Sequence, residues 1–89
     1  MIPLSILDLV PQSGEQTATE ALAGSVALAQ EAEALGYQRI WYAEHHSLPG
    51  VASTSPELMI AHVGARTTQI RLGAGGVMLP NHTTLRVAE

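Results

Sequence analysis

Short apolar runs alternate along the chain with longer segments in which apolar residues recur every three or four positions. The short runs cover residues 4–9, 39–43 and 70–74. The first is nearly continuous, as expected for a strand of a parallel sheet that is buried on both faces. The strands start roughly 30 residues apart, which leaves room for one helical crossover between each pair. The pattern therefore predicts the order β-α-β-α-β, with parallel strands and right-handed connections.

The first long segment has the signals of a helix at both ends. Thr17 and Glu20 fit a capping box, with the threonine as N-cap and the glutamate at N3. Gly36 follows the segment as a stop residue at C′. Five apolar residues should form the buried face of this helix: Leu22, Val26, Ala29, Ala32 and Leu35.

Two further helices are predicted downstream. Ser55 is the expected N-cap of the second, with Pro56 at its first helical position, and this helix should end near residues 66–68. Thr83 is the expected N-cap of a third helix, which has barely begun at Glu89. We find no linker, so residues 1–89 form one continuous segment. A (β/α)₈ barrel needs about 250 residues, and we therefore expect the amino-terminal part of such a barrel, with three of its eight strands.

Composition narrows the classes of partner and compartment. The sequence is 46% hydrophobic and 13% charged, with a net charge of −4, four arginines and no lysine. This balance argues against nucleic acid or an anionic membrane surface as a partner. The absence of cysteine excludes disulfides and thiolate metal ligands. No signal peptide or membrane-spanning run is recognisable, and we expect a cytoplasmic protein.

Polar residues cluster where each predicted strand ends. Asp8 closes the first strand, Glu44, His45 and His46 close the second, and residues 73–81 follow the third. Ligands bind at the carboxyl ends of parallel strands in both barrels and open sheets. The sequence therefore predicts a functional site at this rim.

The adjacent histidines allow two kinds of chemistry. Successive side chains of an extended backbone point in opposite directions, so at most one of the two should face the barrel mouth. A metal site would then need His45 with carboxylates such as Asp8 and Glu44, as in a metal-dependent barrel hydrolase. A single histidine that acts as acid, base or hydrogen-bond donor is the favoured alternative. His82, after a proline turn, fits either a structural or a functional role.

The stretch LGAGGVMLPNH has three glycines within four residues. It does not match the dinucleotide-binding fingerprint, which follows the first strand and opens directly into a helix. Gly75 and Gly76 instead indicate a backbone with unusual dihedral angles, one that a flat ligand can approach closely, or a simple bulge that ends the strand.

The quoted motifs resemble those of a known family. AEALGYQRIWYAEHH and IRLGAGGVMLPNH, together with LRVAE, are similar to the luciferase-like flavin-dependent monooxygenases, in particular the bacterial alkanal-monooxygenase-like oxidoreductases. The resemblance runs along essentially the whole chain. It implies a (β/α)₈ TIM barrel that binds reduced FMN at its carboxyl-terminal mouth and activates O₂. The type reaction oxidises a long-chain aldehyde.

The resemblance also assigns roles to residues. His45 matches the histidine that assists the flavin–oxygen chemistry. Gly75-Gly76 matches the position of a non-prolyl cis peptide that packs against the flavin ring. Glu44 and Asn81 lie in matching motifs, and we assign them a supporting role in cofactor binding, with His46 as part of the scaffold. Thr84 stands where many relatives have proline.

The same resemblance implies partners and leaves alternatives. A separate reductase supplies the reduced FMN, the full-length protein can form a homo-oligomer, and the deazaflavin F420 is the alternative cofactor. The alternative functions are a metal-dependent TIM-barrel hydrolase and a non-catalytic paralogue of the same fold. Because phosphate-binding loops lie late in such barrels, we expect the 89-residue chain alone to bind FMN weakly or not at all.

Overall fold

The computed structural model describes residues 2–89, in which three parallel strands alternate with helices. The strands are β1 (Ser5–Asp8), β2 (Arg39–Tyr42) and β3 (Arg71–Ala74). The helices are α1 (Ala18–Ala34), α2 (Pro56–Gly64) and α3 (Thr84–Ala88), and a single 3₁₀ turn, Leu79–Asn81, precedes α3. The predicted order of elements is confirmed.

The strands lie side by side in chain order, β1-β2-β3, and both pairings are parallel. Ile6 is in register with Ile40, which in turn pairs with Leu72. These side chains join one hydrophobic core with residues of α1 and α2, so both helices cover the same face of the sheet. Helices on one face of a sequentially ordered parallel sheet are the arrangement of a barrel wall.

The core between the sheet and the helices is small and aliphatic. Its buried members are Val10, Ala21, Val26, Ala29, Ala32, Ile40, Tyr42, Met59, Val63 and Ile70. Three of the five residues predicted for the buried face of α1 are among them, and Leu22 packs partly against the same cluster. Leu35 was predicted wrongly: it is the C-cap of α1 and 68% exposed, because the helix ends before its side chain can turn towards the sheet.

The predicted helix starts are confirmed with one difference. The Thr17 hydroxyl accepts a hydrogen bond from the N–H of Glu20, and Thr83 does the same for Arg86. Ser55 occupies the N-cap position of α2, but its side chain makes no capping hydrogen bond. Pro56 lacks an N–H, which leaves one fewer backbone donor to satisfy at that end.

The face of the sheet opposite the helices is largely uncovered. Leu7 is 58% exposed, whereas its neighbours in β1, Ile6 and Asp8, point towards the helix layer. Burial of β1 on both faces is therefore wrong for this chain. On the same open face, the guanidinium of Arg39 stacks over the ring of Trp41, with 4.8 Å from Cζ to the ring centroid.

A carboxylate of α1 fastens the helix layer to the amino-terminal end of the sheet. Glu33 accepts hydrogen bonds from the backbone N–H groups of Thr68 and Ile70, each at 2.9 Å, and from that of Gln69 between them. These backbone bonds, the one from Gln69 first, hold the pKa of Glu33 below its ordinary value. Within residues 2–89, no helix has the length and apolarity that a membrane span requires.

Candidate functional site

Asp8, at the end of β1, lies on the helix side of the sheet and not at the barrel mouth. It is buried, pairs in register with the equally buried Tyr42, and its Oδ1 accepts a 2.7 Å hydrogen bond from the N–H of Val10. The expectation that Asp8 contributes to the rim site is therefore wrong. Asp8 lies two residues after Ile6, so both side chains point to the same face of the sheet, the one that packs against the core.

The loops after β1 and β2 are bonded to each other at the rim. Pro11 and Val51 form an isolated antiparallel bridge. The N–H of Ala52 donates to the carbonyl oxygen of Val10, and the N–H of Gln12 donates to that of Gly50, each at 2.9 Å. The first two rim loops therefore form one hydrogen-bonded unit.

The second rim loop presents His45 at its start. The backbone N–H of His45 donates to the carbonyl oxygen of Ser53 at 3.1 Å. The buried Ser53 hydroxyl donates to the carbonyl oxygen of Ala43 at 2.7 Å. These two bonds close the loop and hold the backbone of His45, while its side chain is exposed to solvent. An exposed imidazole on a fixed backbone can meet a ligand at this edge.

Glu44 connects the end of β2 to the segment after β3. Its side chain is only 2% exposed. Oε2 lies 2.7 Å from Nε2 of His46, and Oε1 lies 2.9 Å from Nε2 of His82 and accepts a 3.0 Å bond from the N–H of Met78. The bond with His46, followed by those with His82 and Met78, lowers the pKa of Glu44 to about 2. The carboxylate is therefore ionised at neutral pH.

The glycines after β3 run beside the end of β2. The peptide bond between Gly75 and Gly76 is cis, and the N–H of Gly75 donates to the carbonyl oxygen of Tyr42 at 2.7 Å. The side chain of Trp41 packs against this strand. A Cβ atom added at Gly73 would lie 2.7 Å from the indole ring of Trp41, and a Cβ atom added at Gly75 would lie 3.0 Å from the Cβ atom of Trp41. A Cβ at Gly76 would meet nothing within 4 Å. The backbone at Gly76 is thus open on its outer side.

The structure unites most of the predicted site residues. Glu44, His45, Gly75 and Gly76 lie where β2 and β3 end, and Asn81 is exposed on the 3₁₀ turn that follows. His46 binds Glu44, which agrees with the scaffold role expected of it. Their roles in catalysis and cofactor binding stay predictions.

The alternative metal site is not formed. Among residues 2–89, no group of three histidine, aspartate or glutamate side chains is arranged to hold an ion. Asp8 faces the helix layer, and the carboxylate of Glu44 is committed to His46, His82 and the N–H of Met78. The hydrolase alternative therefore has no support from the geometry.

The role of His82 was missed at the sequence level, where its position after a proline turn fitted two interpretations. Its Nε2 contacts Glu44 across 38 positions of sequence, and its side chain is only 18% exposed. No periodic pattern reports a contact of that range. The one available signal was the presence of an acid and a histidine at the carboxyl ends of neighbouring strands.

The sequence profile of the luciferase-like monooxygenases matches residues 2–89. The chain belongs to the luciferase-like monooxygenase family. It is 48% identical over 88 residues to a luciferase-like monooxygenase of Escherichia coli, and 45% identical over 89 residues to the N-acetyl-S-alkylcysteine monooxygenase of Bacillus subtilis. These matches cover 99% and 100% of this chain, but only 26% and 27% of the relatives.

Solved structures of other proteins contain the same arrangement. The luciferase-like chain superposes on the crystal structure of apo-MsnO8 with a TM-score of 0.93 and 40% identity, covering 99% of this chain and 27% of that one. The oxygenating constituent of the 3,6-diketocamphane monooxygenase of Pseudomonas putida, solved in complex with FMN, gives a TM-score of 0.88 at 20% identity, over 97% of this chain and 24% of that one. The three β-α units are thus the start of a TIM barrel.

Proposed function

We propose that this chain is the amino-terminal part of a cytoplasmic flavin-dependent monooxygenase, in which His45 serves the chemistry of reduced FMN, O₂ and a small organic substrate. The observation that carries the proposal is that the exposed side chain of His45 and the open backbone of Gly76 lie at the same rim of the sheet. Family membership supports it, as does the FMN complex of the structurally similar monooxygenase from Pseudomonas putida.

The residues at the rim fit the ring of a flavin. Gly75 and Gly76 carry no side chains, and the outer side of Gly76 is free of neighbouring atoms, so a flat ring can lie against this backbone. Asn81, exposed on the following turn, can supply an amide to the polar edge of the ring. Reduced flavin, when bound, supplies the electrons that activate O₂.

Of the four arginines of the chain, Arg86 is the one that lies near this rim, where it lines a hollow with Val77 and His82 and pairs with Glu57 at 3.6 Å. The other three lie away from it: Arg39 and Arg71 begin β2 and β3 at the opposite end of the sheet, and Arg66 precedes β3. Because phosphate-binding loops lie late in such barrels, we expect most of the phosphate contacts to come from the part of the relatives that this chain does not cover. For the same reason we expect the isolated chain to bind FMN weakly.

The role we give His45 is proton transfer or hydrogen bonding to the reacting groups. An imidazole exchanges protons near neutral pH, and a positioned general acid or base typically contributes about 10²–10⁴-fold to a rate. The bond from its N–H to Ser53 fixes the backbone at the point where the side chain leaves the loop. Neighbouring Glu44, whose carboxylate is fully engaged, is not available for the same task.

The test uses the full-length protein, meaning a protein of the relatives' length that contains these residues. His45→Ala should reduce turnover of an aldehyde panel with FMNH₂ and O₂ by about 100-fold or more, while FMNH₂ affinity stays unchanged. His62→Ala is the matched control, because His62 is exposed on α2 away from the rim. Unchanged turnover in His45→Ala would remove His45 from the mechanism. Flavin binding without turnover of any substrate would favour the non-catalytic paralogue.

A further inference from the structure

Glu44 is placed unlike any other acid of the described chain. It is a buried carboxylate at the rim that receives three hydrogen-bond contacts, from His46 in its own loop and from Met78 and His82 in the segment after β3. The other buried acid, Asp8, bonds only to Val10, two residues away. Of these two buried acids, Glu44 is therefore the one that joins two rim segments. It connects its own loop to Met78 and His82, which lie 34 and 38 positions further along the chain.

The donors and acceptors in this cluster determine where the ring protons lie. An ionised carboxylate only accepts hydrogen bonds, so both ring nitrogens that face it have to donate. Nε2 of His46 and Nε2 of His82 must each carry a hydrogen. In the neutral form of either ring, Nδ1 is then a free acceptor.

We propose that Glu44 is the positioning residue of this rim: its carboxylate fixes the Nε2–H tautomer of His46 and His82 and holds residues 77–82 against the end of β2. The segment it holds follows directly on Gly75-Gly76 and includes Asn81. Glu44 thus acts on the flavin through its neighbours and does not touch it. The functional consequence rests on the proposed flavin site, whereas the tautomers and the anchoring do not.

The first test needs no substitution. In the full-length protein at pH 8, ¹⁵N NMR of the histidine rings should show a hydrogen on Nε2 of both His46 and His82, assigned with His46→Gln and His82→Gln. A neutral His82 with its hydrogen on Nδ1 would overturn the proposal. The result is independent of flavin, so it stands or fails separately from the proposed function.

The second test is Glu44→Gln, with Glu57→Gln as control. Glutamine has the same shape but offers one oxygen and one NH₂ group, so one of the two rings has to change to the Nδ1–H tautomer to accept from it. Glu57 is a matched carboxylate because it is exposed on α2 and also contacts a side chain after β3, Arg86. We expect the tautomer change in Glu44→Gln only. Two unchanged rings would overturn the assignment.

The functional readout separates positioning from catalysis. Glu44→Ala leaves the N–H of Met78 without its acceptor, and we expect this amide to exchange with solvent at least about tenfold faster. Both Glu44 variants should bind FMNH₂ about tenfold more weakly, and this loss of affinity should exceed any loss of turnover at saturating flavin. This is the opposite of His45→Ala, which should lose turnover and keep affinity. Wild-type flavin affinity in both variants would overturn the positioning role.

Discussion

The backbone N–H of Val10 donates a 2.7 Å hydrogen bond to Oδ1 of Asp8, two residues earlier in the chain. Val10 has a φ of 52°, a left-handed conformation that β-branched residues seldom adopt, and its side chain is fully buried. The carboxylate therefore holds an unfavourable backbone conformation at the point where β1 turns into the first rim loop. Asp8 thus stabilises the first rim loop from the helix side of the sheet and does not reach the barrel mouth.

Asp8→Ala should lower the free energy of unfolding of the full-length protein by about 1–3 kcal/mol, because it leaves the buried N–H of Val10 without an acceptor. Asp8→Asn should lose less, since the amide oxygen can accept the same bond. Urea unfolding of the two variants measures the difference. Equal losses in both would show that the charge of Asp8, and not its bond to Val10, stabilises the fold.

Tyr42 should make the fold sensitive to alkali. Burial, followed by the nearby charge of Asp8, raises the pKa of Tyr42 to about 12, and its buried hydroxyl has no hydrogen-bond partner. A folded pKa above the unfolded value of 10.0 means that the stabilising effect is complete below pH 10 and is lost as the pH rises towards 12.

Tyr42→Phe should therefore be at least as stable as wild type at pH 7 and should lose less stability above pH 10. Thermal unfolding across this pH range is the measurement, and Tyr37→Phe, at a partly exposed position, is the control. A large loss at pH 7 in Tyr42→Phe would indicate that the hydroxyl has a partner in the full-length protein.

Glu33 should make the free energy of unfolding depend on pH in the acid range. Its pKa is lowered by three backbone N–H groups, so its contribution is present above the unfolded value of 4.5 and is lost as the pH falls through the folded value. Glu33→Gln should lower the thermal midpoint at pH 7, and the difference from wild type should shrink on acidification.

Glu31→Gln is the control for Glu33, because Glu31 is exposed on the same helix. We expect Glu31→Gln to have the wild-type midpoint throughout. A difference between Glu33→Gln and wild type that stays constant down to low pH would contradict an ionic contribution from Glu33.

Gly73 should not tolerate a side chain. A Cβ atom there would lie 2.7 Å from the ring of Trp41, so Gly73→Ala has to displace the ring or the strand, at a cost of about 1–3 kcal/mol. Trp41→Leu should relieve the clash, which makes Gly73→Ala milder in that background. Denaturant unfolding of the two single variants and the double variant measures the coupling. Additive losses would show that the two residues do not meet in the full-length protein.

Gly24→Ala is the matched glycine control. Gly24 lies within α1, and a Cβ there would meet nothing within 4 Å. The substitution should raise stability by about 0.5–1 kcal/mol, because alanine has the higher helix propensity. The opposite signs expected at Gly73 and Gly24 separate a packing requirement from a general effect of removing glycine.

Local patterns were sufficient to predict the elements. The periodicity of α1, the caps Thr17 and Thr83, and the stop at Gly36, which has a φ of 85°, all depend on residues within a few positions of one another. Parallel pairing followed from the alternation of strands and helices. The fold class was therefore predictable from the sequence.

The direction in which each side chain points at the rim was less predictable. In the run from Leu4 to Leu9, each of the two alternating sets of positions contains two apolar residues and one polar residue, Asp8 or Ser5. The pattern therefore does not reveal which set faces the helices, and Asp8 was assigned to the wrong side. The contacts of Glu44 with Met78 and His82 depend on how two neighbouring strands end in space. Such contacts leave no local trace in the sequence.

The bridge between the first two rim loops has a consequence for engineering. The backbone bonds of Val10 and Gln12 to the second loop secure the base of the first loop, whereas its tip, residues 13–15, is exposed. Added length at the tip should be absorbed there, while the same insertion between Val10 and Gln12 would pull on the loop that begins with His45. Residues added to this loop should therefore be placed at its tip, next to Gly14.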